Sequence, residues 1–203
     1  MNALALCGCV LALAFAYPAA DAKSVMPTAT VPRQIVVPFD AKHSHVRFKV
    51  NILGLFTKRG EFVDFEGALE INEVTQKARV HTTIRANSAS MRAKADAELL
   101  RRPAYFAAER FPEVRFRSKL FPLKLLRSGG AINGYLELRG HRLSQAFALL
   151  PGACEPASKP PWECNFSVVG KIARSRFGMR ARRGVVSDEV ELEILVVRAT
   201  SPN

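Results

Sequence analysis

Strict alternation of apolar and charged residues is the feature that most constrains the fold of this chain. In residues 113–120 (EVRFRSKL), Val114 and Phe116 alternate with Arg115 and Arg117. Side chains two positions apart share a face of a strand, so this segment has one apolar and one basic face. A sheet built from such strands buries its apolar side against another sheet or by curling around its own interior. The sequence therefore predicts an all-β fold.

The same alternation recurs along most of the chain. It predicts strands at residues 34–39, 45–52, 61–71, 79–86, 113–120, 131–139, 143–149, 165–174 and 190–197, with turns at residues 54–60 and 129–130. Many alternating strands in consecutive order favour an antiparallel barrel, with a sandwich as the alternative. About eight strands close a barrel whose interior holds side chains or one slender ligand.

One segment changes its periodicity. Residues 90–102 are rich in Ala, Leu and charged residues, and Met91, Ala95 and Leu99 are spaced by four. This spacing predicts a helix of about three turns, with Ser90 as its N-cap and Pro103 at its end. The expected fold is thus all-β with one short helical segment.

The first 22 residues have the composition of an export signal. An apolar run at residues 4–15 contains no charge, and residues 20–22 (ADA) have the small-x-small form of a cleavage site. A spanning helix needs about 20 apolar residues, so we expect residues 1–22 to be a cleavable signal peptide and the protein to be periplasmic. A retained hydrophobic anchor is the alternative. Residues 23–33 contain two prolines and are expected to be an N-terminal linker.

Two cysteines remain outside the predicted signal peptide. Cys154 and Cys164 flank the Pro-rich segment EPASKPPWE. In an oxidising compartment, such a pair is expected to form a disulfide that closes this loop. Metal binding or redox chemistry is the alternative, but neither a CxxC spacing nor a nearby His accompanies the pair.

The chain is strongly basic. It has 30 Lys and Arg against 18 Asp and Glu, a net charge of +12. Such a charge attracts phosphate headgroups, anionic lipid or nucleic acid. Most of these side chains fall at alternate strand positions, where solvation of an outer face explains them. One cluster is dense enough to predict a local anion site: Arg174, Arg176, Arg180, Arg182 and Arg183.

Six segments of the chain match a known family in order and spacing: FDAKHSHVRFKV, GLFTKRGEFVDFEGALEIN, TTIRANSASM, RFPEVRFRS, INGYLELRG and KIARSRFGM. By these segments the chain resembles the YceI-like family of exported polyisoprenoid-binding proteins, and the resemblance covers nearly everything from Phe39 to Val197. It implies an eight-stranded, antiparallel, lipocalin-like β-barrel over residues 34–199. It also implies that the barrel interior takes a long isoprenoid chain, such as a polyprenyl phosphate or a quinone-type tail.

A carrier of this kind needs a dry interior, since each buried CH₂ gains roughly 0.8 kcal/mol on leaving water. The inward-facing candidates for ligand binding are Phe48, Val50, Phe65, Ile84, Phe116, Leu136, Phe166, Val168 and Ile172. Phe106, Phe177 and Met179 are expected to line the mouth. A phosphate headgroup would pair with Arg174, Arg176 or Arg180. Taken singly, each apolar candidate is better explained as ordinary core, so the prediction concerns the set.

Catalytic patterns are absent from the sequence. His43 and His45 share a strand face, but no third metal ligand lies at a suitable spacing, so no metal site is predicted. Ser44 has neither a nucleophile elbow nor an oxyanion motif near it, and no Gly-rich phosphate loop occurs. We therefore expect a binding protein and not an enzyme, with no cofactor.

The expected partners are an isoprenoid or other long-chain lipid and an anionic membrane surface, and no nucleic acid is expected. The sequence leaves the oligomeric state open, a dimer included. The alternative function is a basic surface-binding module for anionic membrane or another polyanion, without an internal ligand.

Overall fold

The computed structural model describes residues 34–155 and 163–200, which form one curled antiparallel sheet around an apolar core. The strands are β1 (Gln34–Pro38), β2 (His45–Ile52), β3 (Phe56–Phe62), β4 (Phe65–Asn72), β5 (Lys77–Arg85), β6 (Ala89–Met91), β7 (Glu113–Ser118), β8 (Phe121–Pro122), β9 (Gly130–Leu138), β10 (His141–Glu155), β11 (Glu163–Ala173) and β12 (Val186–Thr200). The helices are α1 (Lys94–Arg101) and α2 (Leu125–Ser128), with 3₁₀ turns at Ala86–Ser88 and Arg174–Phe177.

The order of the strands shows how the sheet closes. Along the sheet they run β1-β4-β5-β7-β9-β10-β11-β12-β2-β3-β6, with β8 beside β5. Only Val63 and Asp64 separate β3 from β4, yet β3 pairs with β2 and β4 pairs with β5. This bent β3–β4 segment therefore joins the two sides of the sheet. Counted as one strand, it leaves eight long strands in the described part of the chain, as the lipocalin-like prediction requires.

The barrel has two distinguishable ends. β11 begins beside the Cys154–Cys164 bond, and this side is called the disulfide end. β11 finishes at Ala173 and leads into residues 174–185, and this opposite side is called the arginine end. The β2–β3 hairpin lies at the arginine end, because the Leu53 N–H donates to the Val185 carbonyl at 2.7 Å. α2 lies at the disulfide end, immediately before β9 begins.

The disulfide prediction is confirmed. Cys154 and Cys164 are bonded and lie directly opposite each other in the β10–β11 ladder, with their Cα atoms 4.1 Å apart. The bond therefore links two strands next to the loop of residues 156–162, which lies outside the described residues.

Two predictions for the β2–β4 region are wrong. Residues 54–60 were expected to form a turn, but the turn occupies only residues 53–55 and Phe56–Phe62 is strand β3. The first four residues of β3 are all exposed, so this strand lacks the buried face that alternation reveals. Residues 61–71 were expected to form one strand, but a bend at Val63 and Asp64 divides them between β3 and β4 and leaves Val63 exposed.

The predicted helix and one predicted turn also need correction. The helix begins at Lys94 and not at residue 90, since Ala89–Met91 pairs with β3 as β6. Ser90 is therefore not its N-cap. That position is Ala93, which makes no side-chain capping hydrogen bond. Residues 129–130 do not form a hairpin turn: Gly129 follows α2 as its C-cap, with φ of 71°, and Gly130 begins β9.

The predicted signal peptide (residues 1–22) and linker (residues 23–33) lie outside the described residues. Within residues 34–155 and 163–200, no helix is long and apolar enough to cross a membrane.

Candidate functional site

An apolar cavity of about 110 Å³ lies inside the barrel toward its arginine end. Of the 21 residues that line it, all but Tyr105 and Arg174 are apolar. The strands supply most of this lining from their inward positions. Leu100, Tyr105 and Phe106 contribute from α1 and the segment that follows it, and Arg174 and Met179 contribute from the segment after β11. This arrangement offers a dry interior that favours hydrocarbon over water.

Nine of the twelve apolar residues predicted to bind ligand line this cavity: Phe48, Val50, Ile84, Phe106, Phe116, Leu136, Val168, Ile172 and Met179. The other three, Phe65, Phe166 and Phe177, are buried but do not border it. Phe166 packs edge-on against Phe39, with ring centroids 6.0 Å apart, in the half of the barrel nearer the disulfide end. The barrel interior is thus divided into a cavity and a packed core, and the sequence did not separate the two.

Phe147 is the most informative lining residue that the sequence reasoning missed. Its ring meets that of Phe116 edge-to-face, with centroids 4.9 Å apart. It also lies across Gly170 on the neighbouring strand, where an added Cβ would be 2.2 Å from the ring. Phe48 covers Gly60 in the same way, at 2.3 Å. An inward-facing glycine in an otherwise alternating strand, such as Gly170 on β11, is the signal that could have found the Phe147 ring.

A chain of aromatic contacts forms one wall of the cavity. Phe62 contacts both Phe48 and Phe106, with centroids 5.4 Å and 5.5 Å apart. Phe106 and Leu100 are only half-buried, so this wall continues toward the surface. The Arg139 guanidinium supports it by donating to the Tyr105 carbonyl. Burial lowers the pKa of Arg139 below its usual value.

Of the three predicted headgroup residues, only Arg174 reaches the cavity. Its side chain is 4% exposed, and Nε, Nη1 and Nη2 donate to the carbonyls of Ser187, Met179 and Val186 at 2.9, 2.9 and 3.0 Å. Arg174 therefore fastens residues 174–188 to the barrel. Arg176 and Arg180 are exposed and do not line the cavity. A headgroup role for any of the three stays a prediction.

Asp188 provides a second set of hydrogen bonds within residues 174–188. Its carboxylate accepts from the Ser175 hydroxyl at 2.7 Å and from the Ser175 N–H at 2.8 Å. The hydroxyl hydrogen bond, with the backbone bond and the nearby arginines, holds the pKa of Asp188 below its usual value.

Comparison with known proteins identifies the family. Residues 38–197 match the sequence profile of the YceI-like domain. The chain belongs to the YceI-like family. Protein YceI of Salmonella arizonae is 28% identical over 163 residues, which cover 77% of this chain and 82% of that protein.

Two solved structures share the YceI-like fold. BcnA of Burkholderia cenocepacia has a TM-score of 0.66 at 19% identity, covering 81% of this chain and 99% of BcnA. A polyisoprenoid binding domain from Saccharophagus degradans has a TM-score of 0.59 at 13% identity, covering 84% of this chain and 100% of that domain. At these identities the likeness establishes the fold.

In this YceI-like domain, His43 and Ser44 make hydrogen bonds that stabilise the start of β2. His43 Nδ1 lies 2.6 Å from the Asp40 carboxylate, and this hydrogen bond lowers the pKa of Asp40. The buried Ser44 hydroxyl donates to the Val197 carbonyl at 3.3 Å and accepts from the Val197 N–H at 3.2 Å. Ser44 therefore ties the start of β2 to β12. No group of three or more His, Cys, Asp or Glu suited to a metal occurs within the described residues.

Proposed function

We propose that this YceI-like chain binds the hydrocarbon chain of an isoprenoid-type lipid inside its barrel and serves as a carrier or store. The observation that carries the proposal is the apolar cavity, in which 19 of 21 lining residues are apolar. The shared fold of the Saccharophagus degradans polyisoprenoid binding domain supports the same ligand class. Transfer of an isoprenoid tail from water into such a space is favourable at roughly 0.8 kcal/mol per CH₂.

The cavity has to widen to hold a complete chain. Its volume of about 110 Å³ is below the roughly 300 Å³ at which small-molecule sites begin. Leu100 and Phe106 are half-buried lining residues, and Met179 has the conformational freedom to repack around a guest. We propose that displacement of these three side chains extends the cavity toward the arginine end as the tail enters.

The polar end of the ligand would then lie at the arginine end, near Arg174. Each terminal nitrogen of this guanidinium has a second N–H besides the one given to a loop carbonyl, so a neutral or anionic headgroup oxygen has donors within the site. Residues 1–22 are proposed to direct export to the periplasm, where a carrier for a water-insoluble lipid has two membranes to serve. The proposed function requires no cofactor.

Extraction of the purified protein tests the proposal. Organic solvent should release an isoprenoid lipid, detected by mass spectrometry, in an amount approaching one molecule per chain. Protein prepared without ligand should take up added polyprenol. Preparations that repeatedly release no lipid and take up no polyprenol would reject the function.

Salt separates this function from the alternative, a basic surface-binding module. Binding to a polyanion weakens steeply between about 50 mM and about 200 mM salt because counterions are released. Binding of an uncharged tail inside the cavity should change little over that range. A loss of polyprenol uptake that follows the salt concentration would favour the surface-binding module.

A further inference from the structure

An exposed apolar patch projects from the arginine end. At the β2–β3 hairpin, Leu53, Leu55 and Phe56 are 58%, 81% and 65% exposed, and Val185 beside them is 40% exposed. Leu53 and Val185 are joined by a backbone hydrogen bond of 2.7 Å. These four residues are called the hairpin tip. The hairpin tip therefore places four exposed apolar residues on neighbouring backbone positions, and a contiguous exposed apolar patch with a polar rim marks a site of interaction.

Exposed cations border the hairpin tip. Arg180, Arg182 and Arg183 lie in the loop that ends at Val185, and Arg59 lies on β3. Arg180 and Arg182 form no ion pair with a carboxylate within the described part of the chain. Positive charge around apolar side chains complements an anionic surface that has an apolar layer beneath it, which is the chemistry of a lipid bilayer.

The hairpin tip is also continuous with the cavity. Val186, the residue after Val185, lines the cavity and pairs with Ile52, the residue before Leu53. Val50 lines it from β2, two residues earlier. The apolar lining therefore reaches the surface at the place where the hairpin tip is exposed.

We propose that the hairpin tip docks the barrel onto an anionic lipid bilayer. Leu53, Leu55 and Phe56 enter the boundary between headgroups and acyl chains, and the loop arginines pair with lipid phosphates. The arginine end then faces the bilayer, so a tail passes between membrane and cavity without crossing water. This last step rests on the proposed function, whereas docking itself does not and is measured separately.

Vesicle co-sedimentation tests the docking surface. The full chain, as the cell processes it, is mixed with vesicles containing phosphatidylglycerol or with vesicles of phosphatidylcholine alone. We expect binding to the anionic vesicles, and the double variant Leu55→Ser, Phe56→Ser should bind them at least tenfold more weakly. Charge reversal by Arg182→Glu with Arg183→Glu should weaken binding by at least about 30-fold, since about 1 kcal/mol is lost for each basic residue and the new carboxylates are repelled by anionic lipid.

Matched controls lie at the disulfide end. Val74 and Leu120 are 67% and 53% exposed, and the double variant Val74→Ser, Leu120→Ser likewise removes two exposed apolar side chains. Lys124→Glu with Arg127→Glu makes the same change in net charge at two exposed positions, the N-cap of α2 and a residue within it. Both controls should bind anionic vesicles like the unsubstituted chain. Residues before Gln34 are identical in every variant, so any contribution from them cancels.

Several results would overturn the docking proposal. One is equal vesicle binding by the hairpin-tip variant and the unsubstituted chain, and another is an equal loss in the disulfide-end controls. A third is a dimer, detected by analytical ultracentrifugation, that is lost only in the hairpin-tip variant although this variant still binds vesicles. The hairpin tip would then join two copies of the chain. All variants should retain polyprenol uptake. If no variant takes up polyprenol but vesicle binding still depends on the hairpin tip, docking stands and the proposed function fails.

Discussion

Replacing Val168 by Phe probes whether the interior is vacant. Val168 is buried on β11 and lines the cavity of about 110 Å³. The larger side chain should occupy that space without displacing its neighbours, and the additional buried apolar surface is worth on the order of 1 kcal/mol. We therefore expect the free energy of unfolding to stay unchanged or rise by up to about 1 kcal/mol. Polyprenol uptake should fall at least tenfold, because the ring fills the site.

Val196→Phe is the matched control. Val196 is buried on the adjacent strand β12 but does not line the cavity. The same substitution there overfills a packed core, which costs about 1–3 kcal/mol. Urea unfolding followed by far-UV circular dichroism measures both variants, and a fluorescent polyprenol measures uptake. Equal destabilisation of the two variants would refute the division of the interior into a cavity and a packed core.

Three further perturbations test other parts of the structure. Gly170→Ala should press the overlying phenylalanine ring into the cavity and weaken polyprenol uptake, whereas Gly67→Ala, which crowds a ring outside the cavity, should lower thermal stability without weakening uptake. Replacing Cys154 and Cys164 by Ala removes a bond between residues ten apart and should lower the free energy of unfolding by about 3 kcal/mol, with uptake unchanged. The folded-state pKa of Asp188 is lowered, so the stabilisation from its carboxylate is present above about pH 4 and is lost as the pH falls through that pKa. Asp188→Asn should remove this part of the pH dependence of the free energy of unfolding, measured in urea. The effect should be less than about 1 kcal/mol because the group is exposed.

The fold was predictable where the alternation is unbroken. β2 spans the predicted residues 45–52 because its inward and outward positions contrast throughout. β3 was not predicted because most of its side chains are exposed on both faces, which leaves no period of two. α2 has only four residues, too few for a helical period to show. The alternation of residues thus predicted the strands that have one buried and one exposed face. It missed the elements whose burial depends on segments distant in the sequence.

The candidate site was predictable as a set of inward positions but not as a cavity. Phe48 and Phe166 both face inward on strands in which apolar and polar residues alternate, yet only Phe48 borders the cavity. Phe39, which precedes β2, fills the space beside Phe166. Gly60 instead leaves room beside β2, where the Phe48 ring lies. Because these neighbours come from other strands, the boundary between cavity and core depends on tertiary packing.

Equilibrium binding of a radiolabelled polyprenol to the purified chain tests the central claim most directly. The cavity predicts saturable binding of one tail per chain that persists when the salt concentration is raised and is lost in Val168→Phe but kept in Val196→Phe. Binding that does not saturate, or that Val168→Phe and Val196→Phe affect equally, would contradict the claim that an apolar tail occupies the barrel interior.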